Sequence, residues 1–187
     1  MLSKNITKEE IDGMLTGKGD FVRIDHLSEL LKENLGFETK KYICIKLADI
    51  YEGRGMLIDA AKMYEAIGIA AVAFSEKMKY YIKETELLIK AGQFERADEA
   101  MKKAIGLGNA SEKNEIYLAV KEFYKKQAGV YERELRRNHA AKIYEKLLEM
   151  NISETERQEI KEKLLKLYEK LGKIKEYFTL QKGEFRL

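Results

Sequence analysis

The stretch GMLTGKGD, residues 13–20, holds the glycines and the lysine from which phosphate-binding loops are built. Such a loop needs four residues between its first two glycines, so that backbone amides wrap the phosphates, and a Ser or Thr after the lysine to reach magnesium. Here three residues separate Gly13 from Gly17, and Gly19 follows Lys18, so nucleotide chemistry is not expected. The stretch GLGNAS at 106–111 has glycines at dinucleotide-loop spacing, but it follows a helical pattern instead of a strand and its sixth position is serine. A connection between two helical hairpins accounts for it. His26 and His139 have no Cys or His neighbour at ligand spacing, so no metal site is expected, and His139, beside Ala140 at a helix start, reads as packing or capping. Cys44 is the only cysteine; flanked by Ile43 and Ile45, it reads as packing matter. Carboxylates travel with Lys or Arg at helical spacing, as Glu84 does with Lys83 and Glu145 with Lys142, and none stands out as an acid or base. The chain is therefore read as a non-enzyme with no cofactor.

What remains is surface chemistry. Lys121, Lys125, Lys126, Arg133, Arg136 and Arg137 fall largely opposite Ile116, Val120, Phe123, Tyr124 and Tyr131 on one helical pattern over 112–137. They form a basic patch suited to acidic protein, phosphate or nucleic acid, interrupted by Glu122, Glu132 and Glu134. The formal net charge of +3 is unevenly spread: the first hundred residues carry an acidic excess and the remainder a larger basic one. A solvated helix face is the bland reading of the same pattern.

The elements that must position these residues are helices. Proline is absent, and helix formers dominate a chain of 187 residues that is 45% apolar and 36% charged, which predicts an all-α fold with enough apolar matter for its own core. The periodicity predicts helices over 7–16, 21–35, 38–53, 57–68, 72–90, 94–105, 112–134, 138–149, 154–171 and 174–181. Thr7 with Glu10, Asn109 with Glu112 and Ser153 with Glu156 match the capping box that satisfies first-turn amides. No stretch has the length of a membrane span or the form of a signal peptide, so a cytoplasmic protein without membrane insertion is expected. Abundant Lys and Glu fit a heat-adapted source. The run IGIAAVAF, 67–74, cannot face one core from a single straight helix. Gly68 offers a break, with Ile67 closing one helix while Val72 and Phe74 open the next as wedged core; the sharper alternative is the seam of a homodimer or a partner patch.

The pattern repeats. Gly92, Phe94, Ala97, Met101 and Ala104 align with Gly55, Leu57, Ala60, Tyr64 and Ile67, 37 residues earlier. Downstream, Leu135, Arg137, Ala140, Tyr144 and Leu147 occupy the same slots, then Gly172, Ile174 and Tyr177. Gly19, Phe21, Ile24, Ser28 and Leu31 supply a degenerate first unit. A glycine ending the first helix lets the chain reverse, and a small alanine lets the second helix approach closely. Tyr51, Tyr64, Tyr131 and Tyr144 are expected to fill the space between helices.

These slots, best kept in LADIYEGRGMLIDAAKMYEAI (47–67) and GQFERADEAMKKAI (92–105), resemble the tetratricopeptide repeat (TPR) family. Tryptophan is missing, Glu84 and Thr85 replace a small apolar pair, Leu135 replaces a turn glycine, and the offsets exceed the family's ~34 residues, which is similar to extended, SNAP-like relatives. The resemblance implies a single domain over 1–187: a right-handed α-solenoid of about five antiparallel hairpins, with degenerate caps at 1–36 and 153–187, the best repeats at 38–105 and a longer one at 112–150. It further implies a non-catalytic adaptor that takes a peptide or protein segment in a concave groove. The groove positions map onto Tyr42, Ile45, Asp49 and Glu52, then Lys79, Ile82 and Glu86, with Lys125 and Arg133 from the third unit. Helix 38–53 has no asparagine, which argues against the family's carboxylate clamp. The alternative function is a nucleic-acid-associated factor using the basic helix.

Overall fold

Uninterrupted helix formers lead to a chain of helices joined by short turns. The computed structural model describes residues 6–182 and contains, among them, ten α-helices and no strand. These are α1 (Lys8–Leu15), α2 (Asp20–Lys32), α3 (Phe37–Gly53), α4 (Leu57–Ala70), α5 (Phe74–Lys90), α6 (Phe94–Leu107), α7 (Ala110–Arg133), α8 (Arg137–Glu149), α9 (Glu154–Leu171) and α10 (Ile174–Gln181). Every boundary falls within three residues of the sequence expectation. The three capping boxes are formed: Thr7 with Glu10, Ser153 with Glu156, and Asn109 and Glu112 exchanging side-chain acceptors for each other's amides. No helix among the described residues is long and apolar enough to cross a membrane.

The chain divides into two compact units, one ending at Ile116 and the other starting at Tyr117. In the first, α2 packs on α3, α3 on α4, α4 on α5 and α5 on α6, each helix against its neighbour in sequence. One part of its core gathers Ile11, Leu15, Leu27, Leu30, Leu35, Ile43 and Leu47. Farther along, Ala60, Ala61, Ala97, Ala100 and Ala104 are fully buried, so helix backbones approach closely there. In the second unit α9 packs on both α8 and α10, with Ala140, Ala141, Leu147 and Leu164 fully buried and Tyr124, Tyr131 and Tyr168 filling the larger gaps.

Four turns share one hydrogen-bond pattern. The Met56 amide donates to the Tyr51 carbonyl at 2.8 Å, Gln93 to Leu88 at 2.9 Å, Arg136 to Tyr131 at 2.8 Å and Lys173 to Tyr168 at 2.9 Å. In each, the preceding residue is left-handed: Gly55, Gly92, Leu135 and Gly172, with φ of 72°, 73°, 57° and 67°. This is the Schellman closure of a helix, and it reverses the chain into the next helix one residue later. The first turn departs from expectation. Gly19 has φ −73° and caps α2, while the left-handed glycine is Gly17, so the α1–α2 connection has a different geometry from the other four.

The run at 67–74 also departs. Gly68 does not break the helix: α4 continues to Ala70, and the bare Gly68 backbone receives the Tyr81 ring, where a Cβ would stand 2.8 Å from a ring carbon. Only Ile67, Gly68 and Ala71 of the run are buried. Val72 and Phe74, expected in the core, are 89% and 66% exposed, and Ile69 is 63% exposed. Because α4 holds its phase through Gly68, Ile69 falls on its outer side, Val72 in the link beyond it and Phe74 at the start of α5.

Candidate docking groove

Four of the expected groove residues come together. Ile45 on α3 and Lys79, Ile82 and Glu86 on α5 line one open cavity of about 410 Å³ in the first unit, with Tyr64 of α4 and Tyr80 and Lys83 of α5. Lys79, Ile82 and Glu86 share a helix face because they lie three or four residues apart. Tyr64 and Tyr80 stack at 6.1 Å between ring centroids, 19° from parallel. Tyr64, expected only between helices, also lines the cavity, and Tyr80 and Lys83 join it unexpectedly. Lys83, one turn beyond Lys79 on the same helix face, was legible from spacing; Tyr80 carried no such signal.

One rim of the cavity is an ion-pair chain. Lys83 reaches Glu52 at 3.4 Å and Glu86 at 3.2 Å, and Glu86 also holds Lys90 at 2.6 Å. Burial pushes the Lys83 ammonium down, yet Glu86 and Glu52 outweigh it and hold it above its usual range. Burial likewise acts to raise Glu86, and Lys90 and Lys83 overcome it, leaving Glu86 low. Tyr64 donates to Glu52 at 3.3 Å; its phenol is pushed far up by burial and by the negative charges of Glu52 and Asp49. One turn before Lys83 on α5, Lys79 is exposed and has no carboxylate partner among the described residues. The groove thus combines apolar and aromatic lining with a fixed ion-pair chain and one cation, Lys79, that has no carboxylate partner among the described residues.

Other expected positions are occupied differently. Tyr42 donates to Asp12 of α1 at 2.7 Å, with the Lys8 and Lys46 ammonium groups over its ring, so α1 engages it. Asp49 is exposed on α3, and Glu52 is spent on Lys83 and Tyr64. Lys125 and Arg133 lie in the second unit. There Lys121 and Lys125 both close on Glu156, whose carboxyl is pulled to about 2, first by Lys125, then by the Ser153 amide and Lys121. Arg136 pairs with Glu134 at 3.6 Å and covers the Tyr131 ring. Of the basic patch, Lys126, Arg133 and Arg137 remain exposed.

The remaining chemistry-bearing side chains are dispersed. Cys44 is buried, which pushes its thiol up; His26 meets Lys18 at 2.9 Å; His139 packs on Tyr131 at 5.2 Å between centroids. Among the described residues no three His, Cys, Asp or Glu side chains gather where they could hold a metal ion. GMLTGKGD is divided by fold, with Gly13 inside α1 and Asp20 opening α2, and GLGNAS spans the end of α6 and the start of α7.

Glu84 stands apart from these. It is 3% exposed on α5, and its Oε2 has no hydrogen-bond partner. Lys103 approaches its other oxygen only to 4.0 Å, being drawn to Glu65 at 2.6 Å. Burial raises the carboxyl to about 7 against the pull of Lys103.

The chain matches no family model, no curated protein and no solved structure.

Proposed function

We propose that this chain is a TPR-like array of antiparallel hairpins, stacked in a right-handed sense within each unit, and that it works as a non-catalytic adaptor docking a peptide or protein segment. The observation that carries the reading is the 410 Å³ groove, in which half-buried Ile45 and Ile82 and the buried rings of Tyr64 and Tyr80 line a hollow beside exposed Lys79. Apolar anchor sites flanked by fixed charges suit an extended or helical segment whose side chains enter at intervals. The four like turns support the hairpin part, since one closure placed at repeated intervals is what stacked helix pairs require. The nucleic-acid alternative is weakened because Lys121 and Lys125 are committed to Glu156.

The test is selection of peptides from a display library on the immobilised full chain, followed by anisotropy titration against wild type, Ile82→Ser and Lys79→Glu, with melting curves to show that each variant folds. Enriched peptides should compete with one another and lose about tenfold or more in affinity with Ile82→Ser, the order expected for a buried apolar anchor. Peptides that bind all three proteins equally would place docking elsewhere.

A further inference from the structure

A second cavity, of about 450 Å³, opens in the first unit between the end of α2, the first turns of α3 and the last turn of α4. Leu31, Leu35, Phe37 and Ile67 wall it, and Cys44 contributes its thiol. Its polar groups are two lysines, Lys40 and Lys41. Their situations differ. Lys41 is bound to Glu76, lies 3.7 Å from Glu38, and has its ammonium over the Phe37 ring. Those contacts raise it, the Glu76 hydrogen bond first. Lys40 has no ion pair among the described residues, and its charge is felt at the Cys44 thiol one turn along α3. A half-buried lysine lays its methylene stem along apolar walls and leaves the ammonium at the opening.

A cavity of this size, walled by carbon and carrying one free cation at its edge, has the form of a small-molecule site. A purely apolar guest would make no use of Lys40, and a cationic one would be repelled by it, whereas Lys41 is answered by Glu76 and Glu38. We propose that this cavity is a binding site for an anionic amphiphile, a medium-length acyl chain ending in a carboxylate, with the chain against Leu31, Leu35 and Ile67 and the carboxylate on Lys40. The site is separate from the groove between α3, α4 and α5 and does not depend on the docking function.

The exposed Ile69, Val72 and Phe74 also attract apolar chains, so the test must tell the cavity from that patch. The full chain is titrated calorimetrically with dodecanoate below its micelle concentration, with dodecanol and dodecyltrimethylammonium as comparators. Ala66 lies at the cavity's exposed edge, so Ala66→Phe fills the mouth without entering the core. Dodecanoate should bind at one site and more tightly than either comparator. Ala66→Phe should abolish binding, Lys40→Glu should weaken it about tenfold, Lys40→Arg should restore it, and Val72→Ser should leave it unchanged. No binding by wild type, equal binding of the cationic amphiphile, or binding that survives Ala66→Phe and falls with Val72→Ser would each overturn the proposal.

Discussion

At Leu135 a branched side chain occupies a left-handed backbone that glycine takes at the three equivalent turns. The left-handed region crowds Cβ against the following carbonyl and costs an L-residue about 1–2 kcal/mol. Leu135 recovers little of this by packing, since it is 72% exposed. Glycine removes the strain at the cost of a more flexible unfolded chain, so Leu135→Gly should stabilise the protein by about 0.5–1 kcal/mol, read as a rise in melting temperature; a fall would show that the side chain holds the turn. Glu84 poses the opposite problem, a carboxyl that folding leaves unanswered. Its folded value of about 7 lies above the ordinary 4.5, so the folded state holds the proton more tightly than the unfolded one. The resulting stability is complete below about pH 4.5 and is lost as pH rises through about 7. Lys103, Glu65, Arg96, Glu99 and Tyr81 surround it, and the two basic groups do not offset the desolvation. Glu84→Gln should match wild type near pH 4.5 and exceed it at pH 8, by up to about 3 kcal/mol. Denaturant midpoints that differ equally at both pH values would show that the effect is not titration.

At the scale of elements, the α4–α5 pair shows how one small residue fixes a register. Gly68 to Ala gains about 1 kcal/mol in helix propensity, yet the new Cβ meets a Tyr81 ring that is itself buried, and overpacking costs about 1–3 kcal/mol. The steric term should win, so Gly68→Ala lowers the melting temperature despite the better helix former. Just beyond, Val72 and Phe74 lie outside the core, so Val72→Ser and Phe74→Ser should each change stability by less than about 0.5 kcal/mol. Urea titration checks both, and a loss of about 2 kcal/mol or more would restore the core reading of the run.

For the molecule as a whole, Glu156 and Glu84 carry opposite pH signatures. Glu156, in the second, is held near 2 by Lys125, the Ser153 amide and Lys121. Its contribution is present above the ordinary carboxylate value and lost as pH falls through about 2. Glu84 acts from pH 4.5 to 7 in the first unit, so thermal stability should peak near pH 4.5 to 5. Glu156→Gln should shrink the acid limb, to which Asp12 and Glu86 also contribute, and Glu84→Gln should flatten the neutral limb. The same Glu156 pairs remove two lysines from the basic face, so binding of a fluorescent single strand should be weak and vanish between 50 and 200 mM salt, as a few residual phosphate contacts predict. Retention at 200 mM salt would return the nucleic-acid reading to the front.

By itself the amino-acid order determined the ten helices, their ends and the turn slots at Gly55, Gly92, Leu135 and Gly172. Those depend on propensity, capping and apolar period, which act within about one turn of chain. It also grouped Ile45, Lys79, Ile82 and Glu86, which line one cavity. What it left open was pairing across helices: Tyr42 taken by Asp12, Lys121 and Lys125 taken by Glu156, Val72 and Phe74 turned outward, Glu84 stranded without a donor. Each depends on which residue from a distant segment arrives within a few ångströms, and only the tertiary structure decides that. A side chain's charge and shape are local properties, whereas its partner is a property of the packing.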